Sequence, residues 1–219
     1  MDKLTFGAMG AFALCVLITL GPVRPALAGP LEDGIAEIQR EWAEIRYQRP
    51  AAERERLFEN LAAKAHRLSE AQPRRSEPLV WEGIVVSSLA GEKGGLSGLG
   101  LVKKARTLYE DAIRIDGNVL DGSAYNSLGV LYFKVPGWPV GFGDKTKARE
   151  LLQKALAINP TGIDTNYFYG EYLLETGQRA DAVPYLERAL AAPARPGRQV
   201  ADDGRRAEAR QLLERARAG

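Results

Sequence analysis

Four segments of this 219-residue chain align with one another without a gap. They are GLVKKARTLYEDAI from Gly100, GDKTKARELLQKAL from Gly143, GQRADAVPYLERAL from Gly177 and GRRAEARQLLERAR from Gly204. Each has an Ala five residues after its Gly (Ala105, Ala148, Ala182, Ala209). A large apolar residue comes four further on (Tyr109, Leu152, Leu186, Leu213), and another Ala three beyond that (Ala112, Ala155, Ala189, Ala216). Steps of four and three put these residues on one face of an α-helix. The small residues let a neighbouring helix approach, and the large one fills the gap beside it. Elsewhere apolar residues recur at helical spacing, as in Ile35, Ile38, Trp42 and Ile45, then Leu57, Phe58, Leu61, Ala65 and Leu68. No segment sustains the period-two alternation of a strand. The expectation is an all-α repeat protein.

The spacing from Gly143 to Gly177 is 34 residues, the period of a helix–turn–helix unit of the tetratricopeptide (TPR) type. The preceding helices match as well. Tyr125, Leu128, Gly129 and Tyr132 fill the aromatic–Leu–Gly–Tyr pattern, and Pro160 closes that unit. Tyr169, Gly170 and Leu173 fit the next unit, with Asn166 at the aromatic position, and Trp81, Gly83 and Val86 mark an earlier, divergent one. The chain therefore resembles TPR proteins over residues 75–219. The resemblance implies a solenoid of about three degenerate repeats, at about 75–116, 119–160 and 161–193. Pro193, Pro196 and Gly197 interrupt the next stretch, so a helix at 203–218 is expected to cap the stack. Helices within 29–74 are expected to pack on the solenoid, as a further decayed repeat or as a cap.

Two intervals exceed the repeat. A TPR separates the first-helix Gly from the second-helix Ala by about 12 residues. Gly129 to Ala148 is 19 and Gly83 to Ala105 is 22, so loops are expected at AGEKGGLSGLG (90–100) and VPGWPVGFGD (135–144). Both fall in the turn within a helix pair, and equivalent turns of a stack lie side by side. The glycines of the first loop do not fit the Gly-x4-Gly-Lys-Ser/Thr phosphate cradle. The second sets Trp138 and Phe142 on a Pro/Gly frame, suited either to sealing the helix ends or to contacting a ligand or partner. Asp144 is a good N-cap for the helix after it. TPR geometry offers a second surface, the first-helix face. Asn126, Val130 and Phe133 are expected there in one unit, and Tyr167, Glu171 and Leu174 in the next.

Residues 1–28 form a targeting pattern. Lys3 precedes an apolar run from Phe6 to Leu20, and Gly21, Pro22 and Pro25 break the helix before Ala26-Leu27-Ala28. A cleavable secretory signal is expected, with cleavage after Ala28 and the mature protein in the periplasm without a stable membrane anchor. Leu14 before Cys15 does not fit a lipobox. Removal of the segment takes the only cysteine and changes the net charge from +2 to +1. That balance argues against a nucleic-acid partner.

Chemistry-bearing residues are few. One Cys and one His leave no zinc set and no nucleophile pair. His66 has no neighbouring carboxylate motif and is read as a solvated helix residue. Glu32/Asp33 and Asp202/Asp203 read as first-turn acids. The arginines from Arg195 to Arg217 read as a solvated helix face. No catalytic residue, metal site or cofactor is expected, and the chain is read as a non-enzymatic scaffold gripping a protein partner.

PLVWEGIVVSSLAGEKGG and YNSLGVLYFKVPGWPVGFGDKTKARELLQKALAINP also resemble the T-component family of TRAP transporters. The resemblance implies a periplasmic all-helical accessory. It would work beside a solute-binding protein and hold a small, apolar ligand. Members of that family are often lipoproteins, and this chain departs from them in lacking the lipobox.

Overall fold

The computed structural model describes residues 29–218; the expected signal segment, with its cleavage point after Ala28, lies outside the described residues. Eight of the nine helices among the described residues fall into pairs. They are α1 (Pro30–Gln48) with α2 (Ala51–Ala71), α3 (Ser76–Lys93) with α4 (Gly95–Asp116), α5 (Val119–Lys134) with α6 (Lys145–Ile158), and α7 (Ile163–Glu175) with α8 (Arg179–Ala191). A last helix, α9 (Gln199–Arg217), is unpaired. No strand occurs among the described residues. The fold is an all-α, TPR-like solenoid.

Within each repeat the pairing rests on one glycine and one large residue. A Cβ on Gly129 of α5 would stand 2.8 Å from Leu152 Cγ of α6, and one on Gly170 of α7 would stand 2.9 Å from Leu186 Cγ of α8. A Cβ on Gly83 of α3 would run into the Tyr109 ring of α4. The Ala residues flanking those large side chains are wholly buried in α4, α6 and α8. Backbone of one helix thus lies directly on the side chain of its partner, an approach that only a missing Cβ permits.

The helix pairs curve until the array meets its own start. The odd-numbered helices form the inner layer, with α3 on α5, α5 on α7 and α7 on α9. Helix α1 touches both α3 and α9. The inner helices therefore close into a ring of five parallel members, with α2, α4, α6 and α8 packed outside it. Helix α9 covers the last pair, α7 and α8, as the expected cap does, and also reaches α1, so that it bridges the two ends of the solenoid. It begins at Gln199, in the first residues after the Pro193–Gly197 break.

The two insertions fold differently. Residues 90–100 are not a loop: helix continues to Lys93, turns at Gly94 (φ 60°) and resumes at Gly95. The left-handed turn that glycine permits takes almost no length. The inserted residues instead lengthen α3 and α4 to 18 and 22 residues, against 13 each in α7 and α8. Residues 135–144 do form a loop. The Gly143 amide donates to Pro136 O (2.9 Å), the Asp144 amide donates to Tyr132 O (2.8 Å), and the Asp144 side chain caps α6 by accepting from the Thr146 and Lys147 amides.

If the glycine contact sets the pairing, Gly129→Val should destabilise the protein by about 2 kcal/mol through overpacking against Leu152. Gly100 faces open space. Gly100→Ala should therefore stabilise by up to about 1 kcal/mol through helix propensity alone. Urea unfolding of the two variants checks both signs.

Candidate functional site

The inner ring surrounds a lumen of about 1060 Å³. Each inner helix presents one stripe at 3–4 spacing to it: Trp42 and Arg46 on α1, Trp81, Ile84 and Ser88 on α3, Asn126, Val130 and Lys134 on α5, Asp164, Tyr167 and Glu171 on α7, and Ala201, Arg205 and Glu208 on α9. Of the residues expected on the first-helix face, Asn126, Val130, Tyr167 and Glu171 face the lumen. Phe133 instead packs edge-on against Tyr172, with ring centroids 5.8 Å apart, and Leu174 is buried in the core. Both stand four residues beyond the glycine of their helix, which turns them from the lumen toward the neighbouring inner helix.

Beyond the C-terminal ends of α3 and α5 the lumen has an apolar rim, next to the ion pairs of Lys134 with Glu171 and Glu175. Leu96, Leu99, Val135 and Val140 line it, so the α3–α4 tip and the 135–144 loop do meet at one edge. Leu96 and Val140 are also exposed, at 86% and 59%, and mark an open end. The two aromatics of the loop part company. Phe142 folds down onto Tyr132 (5.4 Å) beneath the Arg106 guanidinium (4.8 Å), whereas Trp138 is 90% exposed and lies beside the rim, outside the lumen.

The opposite end is charged, and its ion pairs close the ring. Asp164 Oδ1 accepts from Arg205 Nε (2.8 Å), and its Oδ2 takes Arg195 at 2.7 Å. Arg195 also holds Asp202 (2.6 Å), which accepts from the Arg195 amide as well (2.8 Å). Arg205 pairs with Glu208 (2.6 Å), and Glu208 reaches α1 through Arg46 (2.9 Å) and the Tyr47 hydroxyl (3.2 Å). The Arg205 guanidinium lies over the rings of Tyr167 and Phe168, 4.5 Å from each. Apolar contacts follow the same seam. Ala201 joins the core cluster of Ile38 and Trp42, and Gly204 lies against the Tyr47 ring.

Burial would raise the Asp164 carboxyl, but Arg205 and Arg195 outweigh it and hold the group well below the usual carboxylate range. Burial lifts the Glu171 carboxyl above its ordinary value despite Lys134 at 2.9 Å. Burial likewise pushes the Tyr47 hydroxyl up to about 12.

The reading of the arginine-rich tail as a solvated face holds for Arg215 and Arg217 and fails for Arg205, whose side chain is 11% exposed. Asp202 is likewise a buried partner of Arg195, beyond its place in the first turn of α9. His66 is an exposed helix residue, as expected, but it has a carboxylate neighbour that the sequence did not announce. Its Nδ1 stands 3.0 Å from Oε1 of the buried Glu82. Glu82 also accepts from Ser69 Oγ (2.5 Å) and pairs with Lys104 (2.7 Å). The serine hydroxyl points to the carboxylate and not to the imidazole, and the cluster ties α2, α3 and α4 together. No group of three His, Cys, Asp or Glu able to hold a metal occurs among the described residues.

No family model and no curated protein matches the sequence. Solved structures do. A thermophilic TPR protein of Thermus thermophilus is similar over 83% of this chain and 99% of its own, at 17% identity and a TM-score of 0.54. Two structures of MamA cover 73% and 84% of this chain, and 86% and 91% of theirs, at 21% and 19% identity and TM-scores of 0.44. The likeness to the Thermus protein is one of fold, a TPR-type helical array.

Asp164→Asn should destabilise the ring by about 2–3 kcal/mol at neutral pH, because two guanidiniums lose their shared carboxylate. A carboxyl whose pKa is lowered by folding contributes its stability above its unfolded pKa and loses it as pH falls. The gap between parent and Asp164→Asn should therefore narrow below about pH 4. Urea unfolding of both proteins across that range checks it; a gap independent of pH would contradict the pairing.

Proposed function

We propose that this chain is an exported, non-enzymatic binding protein whose lumen takes up a small, largely apolar ligand. One observation carries the reading: α9 meets α1, so the surface that would otherwise be an open groove surrounds a space of about 1060 Å³. Pockets for small ligands run to about 1,000 Å³ and combine apolar walls with a few convergent polar groups. Val130, Ile84, Leu99 and Tyr167 supply such walls. The signal-like pattern at 1–28 supports export to the periplasm.

The same reading accommodates a protein partner at the rim. Leu96, Trp138 and Val140 are large, apolar and exposed beside the open end of the lumen. A partner seated there would receive or deliver the ligand. The T-component resemblance supports this arrangement, with a periplasmic solute-binding protein as the partner.

Titration with the apolar fluorophore N-phenylnaphthylamine tests the ligand reading. Saturable one-site binding is expected, and Val130→Trp, which fills the middle of the lumen, should abolish it. Absence of saturable binding, or binding indifferent to Val130→Trp, would contradict the reading.

A further inference from the structure

The charged end of the lumen carries one guanidinium that the ring's ion pairs do not use. Arg46, Arg195 and Arg205 each pair with a carboxylate, among them Glu208, Asp164 and Asp202. Arg198 faces the same lumen and pairs with none of them. Asp121, also on the wall, is not its partner either. The Arg198 side chain lies 5.1 Å over the Trp81 ring, and its Nε is buried without a hydrogen-bond partner. Burial, then the like charge of Arg195, holds its pKa below the ordinary arginine value.

Two further residues that line the same space carry unsatisfied polar atoms. Trp81 Nε1 is buried and donates to nothing, and Asn126 Oδ1 is buried and accepts from nothing. Buried polar groups are nearly always hydrogen-bonded, so each exception calls for a partner. Three such exceptions share one cavity wall here, and two of them are N–H donors, one charged. An oxyanion satisfies both donors, and a guanidinium over an indole binds a carboxylate with a charge-assisted hydrogen bond. The opposite rim, at Leu96, Leu99 and Val140, is apolar.

Building on the lumen reading above, we propose that the ligand is an amphipathic carboxylate. Its head group is held by Arg198 and Trp81, and its hydrocarbon tail runs toward Leu99 and Val140. Arg198 discriminates by charge, Trp81 by its indole N–H, and the rim accommodates the tail without reading it. The ion pairs of Asp164, Asp202 and Glu208 keep the other guanidiniums occupied, so one anionic group is taken up and not several.

Isothermal titration of the full chain with decanoate and with decanol tests the proposal. Decanoate should bind about tenfold or more tightly than decanol. Arg198→Gln should remove that preference by weakening decanoate far more than decanol, and because it gives up only the stacking on Trp81 and no ion pair the variant should still unfold cooperatively. Trp81→Phe keeps an aromatic ring beneath Arg198 while removing the indole N–H together with part of the ring volume, and should reduce the preference in part. Equal binding of the two compounds by the parent, or a preference that survives both substitutions, would overturn the head-group assignment while leaving a lumen that binds apolar ligands. Binding of neither compound would overturn the lumen reading itself, and this assignment with it.

Discussion

Helix α9 must reach α1 for this molecule to have an interior. A TPR array of this length otherwise presents an open concave face, with every inner side chain in solvent. The closing seam combines two kinds of contact. Ala201 and Gly204 are small enough for α9 to settle against Trp42 and Tyr47, and the chain Arg195–Asp164–Arg205–Glu208–Arg46 fixes its register. Ion pairs of this kind add little net stability when compared with apolar replacements, because desolvation offsets the attraction. Their geometry is specific, however. A guanidinium that must meet Asp164, Glu208 and the faces of Tyr167 and Phe168 at once has few alternative positions.

The repeat supplies what the seam then uses. Each glycine–large residue contact brings a first helix onto its partner at nearly the same separation, so successive pairs add their rotations regularly. The longer α3–α4 pair extends past its neighbours at one edge, and together with the 135–144 loop it builds the apolar rim. At the other edge the Asp164 network and Arg198 gather, drawn from the N-terminal parts of α7 and α9 and the C-terminal end of α1. The lumen is therefore polarised along its axis. The left-handed turn at Leu120 and Asp121 (φ 51° and 56°) stands on the wall of the same lumen, a conformation that costs non-glycine residues of order 1–3 kcal/mol each.

Most of the helical architecture was legible in the sequence, because spacing alone reports a helix face. The inner surface was legible at Asn126, Val130, Tyr167 and Glu171 for the same reason: those residues keep fixed offsets from Gly129 and Gly170. Phe133 and Leu174 were misplaced because their offset falls at the edge of the stripe, where the angle between neighbouring helices decides. The 90–100 insertion reads as a glycine-rich loop, yet two consecutive glycines with positive φ, Gly94 and Gly95, suffice to turn the chain. Closure was the larger omission. Its signal was present, since Arg205 lies in step with Ala201, Ala209, Leu212 and Ala216. A charge on an apolar stripe implies a buried partner. That partner, Asp164, lies 41 residues away, and Glu208 beside Arg205 meets Arg46 across 162 residues. No local pattern announces a ring closed over such distances.

Whether α1 and α9 adjoin can be read by cysteine cross-linking. Gly204 and Tyr47 lie close enough for a pair of cysteines there to approach disulfide geometry. In the full chain carrying Cys15→Ser, Tyr47→Cys and Gly204→Cys, mild oxidation should produce an intramolecular disulfide in nearly all molecules, read as a faster band on a non-reducing gel with the monomer mass unchanged but for the loss of two hydrogen atoms. A protein that stays reduced, or that forms only intermolecular dimers, would mean that the solenoid is open and has no lumen.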